Sequence, residues 1–261
     1  MNEDRNIAFN FGVNWQQFSQ NSLDSAKFKD AFESLDNLIG HQNMAGKIFL
    51  DIGCGSGIFA IAASLAGASK VLGIDISAES VAASVSNKKR FAGQSQVEFL
   101  QKSVLDEDFS GLGRFDIVYS WGVLHHTGQM WRAIDAASRL AAAGGLFVIA
   151  IYNRHWSSGS WKLIKRFYNM SPAIIQRVMI WVFYGVIATA KLIVTCKNPF
   201  KKQKRGMSFY YDVIDWVGGY PYEYADADEI IAYVEKLGFK CIKLVRPVTP
   251  TGCNEFVFQK T

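Results

Sequence analysis

A glycine-rich turn with acidic neighbours is the part of the sequence whose residue types and spacing most clearly indicate chemistry. The turn reads D-I-G-C-G-S-G from Asp51 to Gly57, and it separates a short apolar run from a segment of small apolar residues. Glycines here allow a tight turn, a close backbone approach to a ligand and close packing of the following helix. Of the dinucleotide fingerprint G-x-G-x-x-G, only the looser form ending in alanine can be read, from Gly55 to Ala60.

Two acidic residues beside the turn restrict the class of ligand that it can bind. Asp51 ends the first strand, where a carboxylate would repel a pyrophosphate but attract an ammonium group. Asp75 ends the next apolar run, about 20 residues on, where an acid accepts hydrogen bonds from ribose hydroxyls. A nucleoside with a zwitterionic amino-acid tail satisfies both acids, and S-adenosylmethionine is such a molecule. We therefore predict S-adenosylmethionine as the cofactor.

A pair of adjacent histidines, His125 and His126, follows the apolar run 115–119. Ligands bind at the carboxyl ends of strands in open α/β sheets, and a histidine suits the removal of a proton from a hydroxyl acceptor. One histidine acting as the base, one only orienting the substrate, and two structural histidines are all compatible with the sequence. Adjacent side chains diverge, so we expect only one to touch the acceptor.

These segments together resemble the class I S-adenosylmethionine-dependent methyltransferases. The matching pieces are D-I-G-C-G-S-G, G-I-D-I-S and F-D-I-V-Y-S-W-G-V-L-H-H-T, and the similarity is closest to the branch with the ubiquinone-pathway enzymes. It covers about residues 45–152 and weakens toward the end of the chain. The resemblance implies that the glycines lie under the methionine portion, that Ile76 packs on adenine, and that a residue near 103–106 contacts the adenine amine. The implied cofactor-binding residues are Asp51, Gly53, Cys54, Gly55, Gly57, Asp75, Ile76, Ser103, Val104, Asp106 and Trp121.

Alternating strands and helices surround these motifs. We predict an α/β, Rossmann-like, doubly wound sheet of seven strands, mostly parallel with an antiparallel last strand. Four regions follow from the pattern: an N-terminal helical arm or lid (1–45), the cofactor-binding core (46–152), a helical insertion after strand five (153–215) and the C-terminal part of the core sheet (216–261).

Composition excludes some classes of protein. Among the 261 residues 49% are apolar and 20% charged, which excludes intrinsic disorder. None of the four cysteines forms a C-x-x-C pair, so we predict no metal site. The polar first residues do not form a signal peptide, so we expect a cytoplasmic protein with reduced thiols.

The net charge of +5 arises mainly between Lys162 and Arg205, and it is compatible with a solvated face, an anionic membrane surface, a phosphate-bearing substrate or nucleic acid.

The insertion contains an unbroken apolar run, 178–190, with a basic residue at each end. The run is shorter than the ~20 residues that a membrane-spanning helix needs. Drawn as a helix, one stripe is shared by Arg177, Trp181, Tyr184, Ala188 and Lys191, as is typical of helices lying in a membrane interface. Three interpretations stay open: a buried cap over the active site, peripheral attachment through 173–194 at the inner face of the membrane with Ile180 and Phe183 inserted, and spanning or dimerisation.

An aromatic and acidic segment, 206–224, follows the apolar run. Such a surface can stack on a ring and accept hydrogen bonds from hydroxyls, which suits sugars or phenols, although packing around the Gly-Gly turn is an alternative. Its G-M-S, D-W and G-G-Y-P pieces also resemble a bacterial methyltransferase subgroup associated with glycan-assembly genes. The predicted substrate-binding residues are Trp15, Tyr152, Asn153, Asp212, Asp215, Trp216, Tyr220, Tyr222 and Glu223.

The expected function is O-methylation of a hydroxylated small molecule, a sugar or a phenol, free or lipid-linked. An RNA-modifying methyltransferase that uses the basic stretch 197–205, a protein that binds S-adenosylmethionine without transferring a methyl group, and another group transfer on the same fold are the alternatives. The sequence has Ser120-Trp121-Gly122-Val123 where base-amine methylases carry N/D-P-P-Y/F, so nucleic acid is not the expected partner. The oligomeric state is left open.

Overall fold

Helices and strands alternate through most of the protein. The computed structural model describes residues 7–195 and 209–261. Within them the order is α1 (Phe11–Ser22), α2 (Ser25–Ile39), β1 (Ile48–Ile52), α3 (Ile58–Leu65), β2 (Lys70–Asp75), α4 (Ala78–Phe91), β3 (Val97–Gln101), β4 (Phe115–Trp121), α5 (Met130–Ser138), β5 (Ala141–Tyr152), α6 (Ser158–Met170), α7 (Ala173–Thr195), α8 (Phe209–Gly218), α9 (Ala227–Lys236), β6 (Phe239–Val245) and β7 (Cys253–Lys260).

The seven strands form one sheet in the order β3-β2-β1-β4-β5-β7-β6. Strands β1 to β5 pair in parallel, and β7 runs antiparallel to both of its neighbours. The central strands are almost wholly apolar because helices cover both faces of the sheet. This confirms the predicted Rossmann-like doubly wound sheet with its antiparallel last strand.

Two apolar cores lie on opposite faces of the sheet. Leu50 and Phe147 belong to the core on one face, and their chain neighbours Phe49 and Val148 belong to the core on the other. Successive side chains of a strand point to opposite faces, so each central strand contributes to both cores. The parallel arrangement brings the ends of β1, β2, β4 and β5 to one edge, where the predicted site residues lie.

The N-terminal arm consists of two helices separated at Leu23 and Asp24. Asp24 caps α2, because its side chain accepts a hydrogen bond of 3.1 Å from the backbone N–H of Lys27. Helix α2 packs on the sheet through buried Leu35 and Leu38, whereas α1 reaches the glycine turn and α8. The aromatic segment near Trp15 is therefore a helix over the site edge.

Helix α7 corrects two expectations about the insertion. It is 23 residues long, and Ala173–Ala190 is long and apolar enough to cross a membrane by length and composition alone, with 11% of that segment buried. The residues of the predicted stripe also do not share one environment. Ala188 packs in a cluster with Phe209 of α8, whereas Trp181 is 67% exposed. Ile180, expected to face lipid, is buried in the same cluster, because contact with α8 determines which face turns inward.

Candidate active site

The glycine turn after β1 is enclosed by two other segments. Gly53 and Gly55 have φ values of +74° and +56°, a region that side chains disfavour. A Cβ atom on Gly53 would lie 2.5 Å from Val123, and one on Gly55 would lie 2.9 Å from the indole of Trp15. Only glycine permits these approaches. The histidine turn after β4 and helix α1 therefore both touch the turn.

The two acids beside the turn differ in their hydrogen bonding. Asp75 is fixed, because its carboxylate accepts hydrogen bonds from the backbone N–H groups of Gly55 at 3.0 Å and Ser77 at 2.9 Å. Asp51 is 3% exposed, and its Oδ2 atom has no hydrogen-bond partner among the described residues. Burial and the charge of Asp75 raise the pKa of Asp51 to about 7. A ligand ammonium at Oδ2 would restore the ionised form.

These residues fit S-adenosylmethionine. The unpartnered oxygen of Asp51 suits the ammonium group of its methionine tail, and the fixed carboxylate of Asp75 suits ribose hydroxyls. Ile76, next to Asp75, is 71% exposed and offers an apolar surface to an adenine ring. The fit depends on the buried Asp51 Oδ2 atom, which has no hydrogen-bond partner among the described residues, and on the chemistry of the two carboxylates.

The other predicted cofactor residues are placed as follows. Asp106 accepts a hydrogen bond of 2.9 Å from the backbone N–H of Ser103, and Val104 between them is buried, so the adenine contact stays a prediction. The Cys54 thiol is buried, with its sulfur 3.7 Å from the Ser84 hydroxyl, and burial raises its pKa well above the usual range. Gly57 is the N-cap residue of α3, and Trp121 Nε1 donates to Glu255 at 3.0 Å.

The two histidines occupy different environments. His125 is fully buried, neither ring nitrogen has a hydrogen-bond partner among the described residues, and its ring lies 4.1 Å from that of Tyr152. His126 is partly buried, with Nδ1 2.6 Å from the carbonyl oxygen of Pro221. A carbonyl only accepts, so Nδ1 must carry the proton and the lone pair of neutral His126 lies on Nε2. The geometry therefore favours His126 as the base.

Both imidazoles are neutral at physiological pH. Burial, and after it the positive charge of Lys165, lower the pKa of His126 to about 3. Burial, the charge of His126 and then that of Lys165 lower the pKa of His125 well below its usual value. A neutral His126 presents the lone pair of Nε2 as a proton acceptor, and a pKa of about 3 makes it a weak base in this state of the site.

Lys165 of α6 is a site residue that sequence reasoning missed. It was counted with the surplus of basic surface residues, yet it is fully buried and donates a hydrogen bond to the backbone carbonyl of Trp216. Its Nζ atom lies 4.4 Å from the Trp216 ring, 4.9 Å from that of Tyr222 and 5.8 Å from that of Tyr152. Burial lowers its pKa to about 7. Helical spacing contained the signal, since Lys165 shares a face with Tyr168, which is also buried.

Asp215 of α8 precedes Trp216, whose backbone carbonyl accepts the hydrogen bond from Lys165. Its Oδ1 accepts a hydrogen bond of 2.6 Å from the side-chain amide of Asn14. Burial raises the pKa of Asp215 to about 7, while Asn14 and the charge of Lys165 oppose that rise. The rings of Tyr152, Trp216 and Tyr222 contact one another beside Lys165, and their role in substrate binding stays a prediction.

Other predicted substrate residues lie elsewhere or have structural contacts. Trp15 lies against the glycine turn, and Asp212 is exposed in the first turn of α8. Asn153 bonds to Pro250 and Asn254, which ties two loops together. Glu223 accepts a bond of 3.0 Å from the backbone N–H of Met130 at the start of α5, and the carbonyl of buried Tyr220 accepts one from Phe9.

Two further expectations concern metal ions and nucleic acid. Within 7–195 and 209–261, no group of three or more His, Cys, Asp or Glu side chains is arranged to hold a metal ion. The basic stretch 197–205, on which the RNA alternative depends, lies outside the described residues.

Comparison with known proteins shows that the core is similar to methyltransferases. Residues 50–147 match the family model of a methyltransferase domain. The ubiquinone biosynthesis O-methyltransferase of Rhodopseudomonas palustris (strain TIE-1) is 32% identical over 127 residues, which are 49% of this chain and 48% of that protein. The chain therefore spans about half the length of the curated relatives it matches.

Solved structures share the fold over most of the chain. Magnesium protoporphyrin IX methyltransferase from Synechocystis PCC 6803, with bound SAH, has a TM-score of 0.59 at 14% identity and covers 95% of this chain and 94% of its own. The N-terminal domain of EvdMO1, crystallised in the presence of SAH and D-fucose, has a TM-score of 0.53 at 16% identity and covers 92% and 84%.

The strand order defines a Rossmann-like fold, and the glycine turn with its two acids lies at the sheet edge where such folds bind ligands. Residues 50–147 match the methyltransferase-domain model, and the similarity to an O-methyltransferase over about half of the chain and the fold shared with solved methyltransferases agree with that match.

Proposed function

We propose that this chain binds S-adenosylmethionine and transfers its methyl group to a hydroxyl oxygen of a small molecule. The observation that carries the proposal is the bond between His126 Nδ1 and the Pro221 carbonyl, which leaves Nε2 as the proton acceptor. The same turn packs on the glycine turn, because Val123 lies against Gly53. This contact supports a proton acceptor close to the proposed cofactor site.

Asp51 would hold the ammonium group of the cofactor and Asp75 its ribose hydroxyls. When bound, S-adenosylmethionine supplies a methyl carbon activated by its sulfonium group. The chain therefore has to position an acceptor oxygen and remove its proton. His126 Nε2 takes that proton, and the Pro221 carbonyl stabilises the imidazolium by keeping its bond to Nδ1–H.

The proposed acceptor is a hydroxylated ring, a sugar or a phenol. Tyr152, Trp216 and Tyr222 provide ring surfaces, and Asp215 provides a hydrogen-bond acceptor. Two of the similar proteins support a hydroxylated ring as the acceptor. One is named for ubiquinone biosynthesis, and the other was crystallised in the presence of D-fucose.

We further propose that the chain is cytoplasmic and attaches peripherally to the inner face of the membrane. Helices α6 and α7 expose large apolar side chains, here together called the α6–α7 surface: Leu163, Phe167, Met170, Ile174, Val178, Trp181, Val182 and Val186. Exposed Lys162, Arg166 and Arg177 are on the same helices. Apolar side chains beside basic ones suit an anionic lipid surface, and a lipid-linked acceptor would be presented there.

Formation of SAH tests the catalytic part of the proposal. Incubation with methyl-labelled S-adenosylmethionine and an extract of hydroxylated small molecules should give a base-stable labelled ether and SAH. His126→Ala should abolish the product but keep cofactor binding. Cofactor binding without SAH formation from any fraction would favour the non-catalytic alternative, and salt-sensitive binding of bulk tRNA with labelled RNA would favour the RNA alternative.

Flotation with vesicles containing phosphatidylglycerol tests membrane attachment. Trp181→Glu with Val182→Glu should abolish flotation, because both side chains are exposed. Leu65→Glu with Ile242→Glu makes the same change at exposed apolar positions outside α6 and α7, and it should leave flotation intact. Ile180 is avoided because it is buried. A wild-type chain that never floats at low salt would contradict the membrane part alone.

A further inference from the structure

Two buried side chains connect helix α1, helix α4 and the glycine turn. Asn87 of α4 is 3% exposed, and its side-chain amide donates a hydrogen bond of 2.8 Å to the backbone carbonyl of Ser56 in the turn. The hydroxyl of Ser19 in α1, also buried, donates at 2.8 Å to Oδ1 of Asn87. Hydrogen bonds therefore join the N-terminal arm to the glycine turn through one side chain of α4.

The chemistry of the two partners fixes which end of the Asn87 amide faces each of them. A backbone carbonyl only accepts, so the NH2 group of Asn87 must face Ser56. The amide oxygen is then left to accept from the Ser19 hydroxyl, in agreement with the distances. An aspartate at this position has nearly the same shape, but it would keep the bond from Ser19 and lose the bond to Ser56.

A second residue of α4 holds the neighbouring peptide of the turn. The Ser84 hydroxyl is fully buried and donates at 2.9 Å to the carbonyl of Gly55. Since the carbonyl and the N–H of one trans peptide point in opposite directions, this bond turns the N–H of Ser56 away from α4. In the next peptide, the N–H of Gly57 donates at 2.8 Å to the Cys54 carbonyl and closes the turn. Helix α4 thus determines how the peptide groups of the turn are oriented.

Helix α1 follows α4 and depends on it for its position. Near the start of α1, Gly12 packs so closely on Ser77, the N-cap of α4, that a Cβ atom would clash. Further along, Trp15 lies against the glycine turn and Ser19 meets Asn87. Helix α1 has 12 residues, and a helix of this length is marginal in water by itself. Its order therefore depends on these docking contacts.

We propose that Asn87 is a positioning residue that couples the arm to the cofactor. Binding of the cofactor on the glycine turn stabilises the docked arm, and docking of the arm stabilises the turn for binding. Coupling between two sites is reciprocal, so a contact that holds α1 must also contribute to cofactor affinity. Asn87 acts through the Ser56 carbonyl, not by contact with the cofactor. The inference rests on the proposed cofactor binding and adds how the arm responds to it.

Hydrogen–deuterium exchange of the full chain, with and without saturating SAH, tests the coupling. We expect SAH to slow amide exchange in peptides of α1 by about tenfold in the wild type, within the usual range for coupled sites. Peptides of α9, which packs on α5 and β6, are the internal reference. Ser19→Ala should remove most of the protection of α1. Alanine has the higher helix propensity, so a weaker helix cannot be the cause of that loss.

Variants on α4 separate coupling from general loosening of the turn. Asn87→Asp keeps the acceptor for Ser19 but loses the donor to the turn, so it should lose the protection of α1 even when saturated with SAH. Ser84→Ala removes a bond to the turn and leaves the Ser19–Asn87 bond in place, so it should bind SAH more weakly and keep the protection at saturation. Ser86→Ala, at an exposed position of α4, should change neither. Should Asn87→Asp not fold, Ser19→Ala decides.

Calorimetric titration of SAH into the same samples separates the two proposals. Ser19→Ala should lower SAH affinity by about two- to tenfold, the usual effect of one lost hydrogen bond. If the wild type binds SAH without protection of α1, or if the protection survives Ser19→Ala, the coupling is overturned and cofactor binding stands. If the wild type binds no SAH, the proposed function fails and the coupling fails with it.

Discussion

Asn14 Nδ2 lies 2.6 Å from Asp215 Oδ1, while the next residue along the chain, Trp15, lies against Gly55. One turn of α1 thus contacts the acceptor side and the glycine turn at once. The same helix begins beside the histidine turn, where the Phe11 ring is 4.8 Å from that of His126. The N-terminal arm therefore links the parts of the site that have to act together.

Loss of the Asn14 bond should weaken cofactor binding at a distance. Asn14→Ala removes a hydrogen bond to a carboxylate, worth about 1.5–3 kcal/mol, and frees the helix that carries Trp15. We expect SAH affinity, measured by calorimetry, to fall by roughly tenfold. Gln17→Ala, at an exposed position of α1, should have no effect. Unchanged affinity in Asn14→Ala would show that Trp15 is held by other contacts.

Cofactor affinity should depend on both acids beside the glycine turn. Asp51→Asn removes the charge that would hold the ammonium group, and Asp75→Ala removes the acceptor for the ribose hydroxyls and for Gly55 N–H. Each change should cost about 1.5–3 kcal/mol, or roughly tenfold to a hundredfold in affinity for S-adenosylmethionine. Asp228→Asn, an exposed acid on α9, is the control. Wild-type affinity in both site variants would refute the cofactor assignment.

The two histidines should separate into a catalytic and a structural residue. His126→Ala should lower kcat by about 10²–10⁴-fold with SAH affinity unchanged. His125→Ala should instead lower the midpoint of urea unfolding, because it leaves a cavity beside Tyr152. The reverse assignment, with kcat lost only in His125→Ala, would contradict the tautomer argument from Pro221.

The pH profile gives an independent check on His126. Burial and Lys165 lower its pKa to about 3, so the neutral, proton-accepting form already predominates well below pH 6. We therefore expect His126 itself to contribute no acidic limb near the usual histidine pKa of ~6.5, whereas Asp215, with a pKa of about 7, contributes one that does not depend on His126. An acidic limb of the kcat–pH profile near pH 6.5 that disappears in a His126 variant would mean that the imidazole is solvated when the acceptor binds.

Patterns along the chain predicted the sheet and the glycine turn because both depend on local signals. Apolar runs ending in Asp51 and Asp75 indicate parallel strands, and a parallel sheet brings their ends to one edge. The acceptor side was harder to predict. Glu223 looked like a hydrogen-bonding partner for hydroxyls, yet it caps α5, since its distance from Met130 is determined by tertiary packing.

Lys165 shows most clearly why the rest could not be read from the sequence. A lysine among basic residues indicates a solvated surface, and only the packing of α8 and the segment after it against α6 places Trp216 and Tyr222 around it. For Ile180, likewise, the contact with α8 determined the buried face of α7, whereas the uniform apolarity of the run contained no such information.

The burial of Lys165 should be visible in the pH dependence of stability. Its pKa is lowered from 10.5 to about 7 in the folded chain, mainly by burial. Between those values the unfolded chain holds a proton that the folded chain has released, so this lysine makes wild-type stability rise with pH. Lys165→Met lacks that contribution. The free energy of unfolding of the wild type relative to the variant should therefore increase by roughly 2 kcal/mol between pH 7 and pH 9.

The acidic groups that act on Lys165 are Asp215 and Cys253, both of which oppose the lowering of its pKa, and Asp215 does not reverse this expectation. Without the lysine charge, the pKa of Asp215 rises further above about 7, so the folded variant keeps a proton to higher pH and loses stability as pH increases. His126 is neutral throughout this range, and the bond to the Trp216 carbonyl contributes equally at each pH. Urea unfolding at pH 7, 8 and 9 gives the difference, with Lys162→Met as the exposed control that should show no trend. A constant difference for Lys165→Met would mean that the ammonium stays hydrated in solution, because a desolvated one must lose its proton in this range.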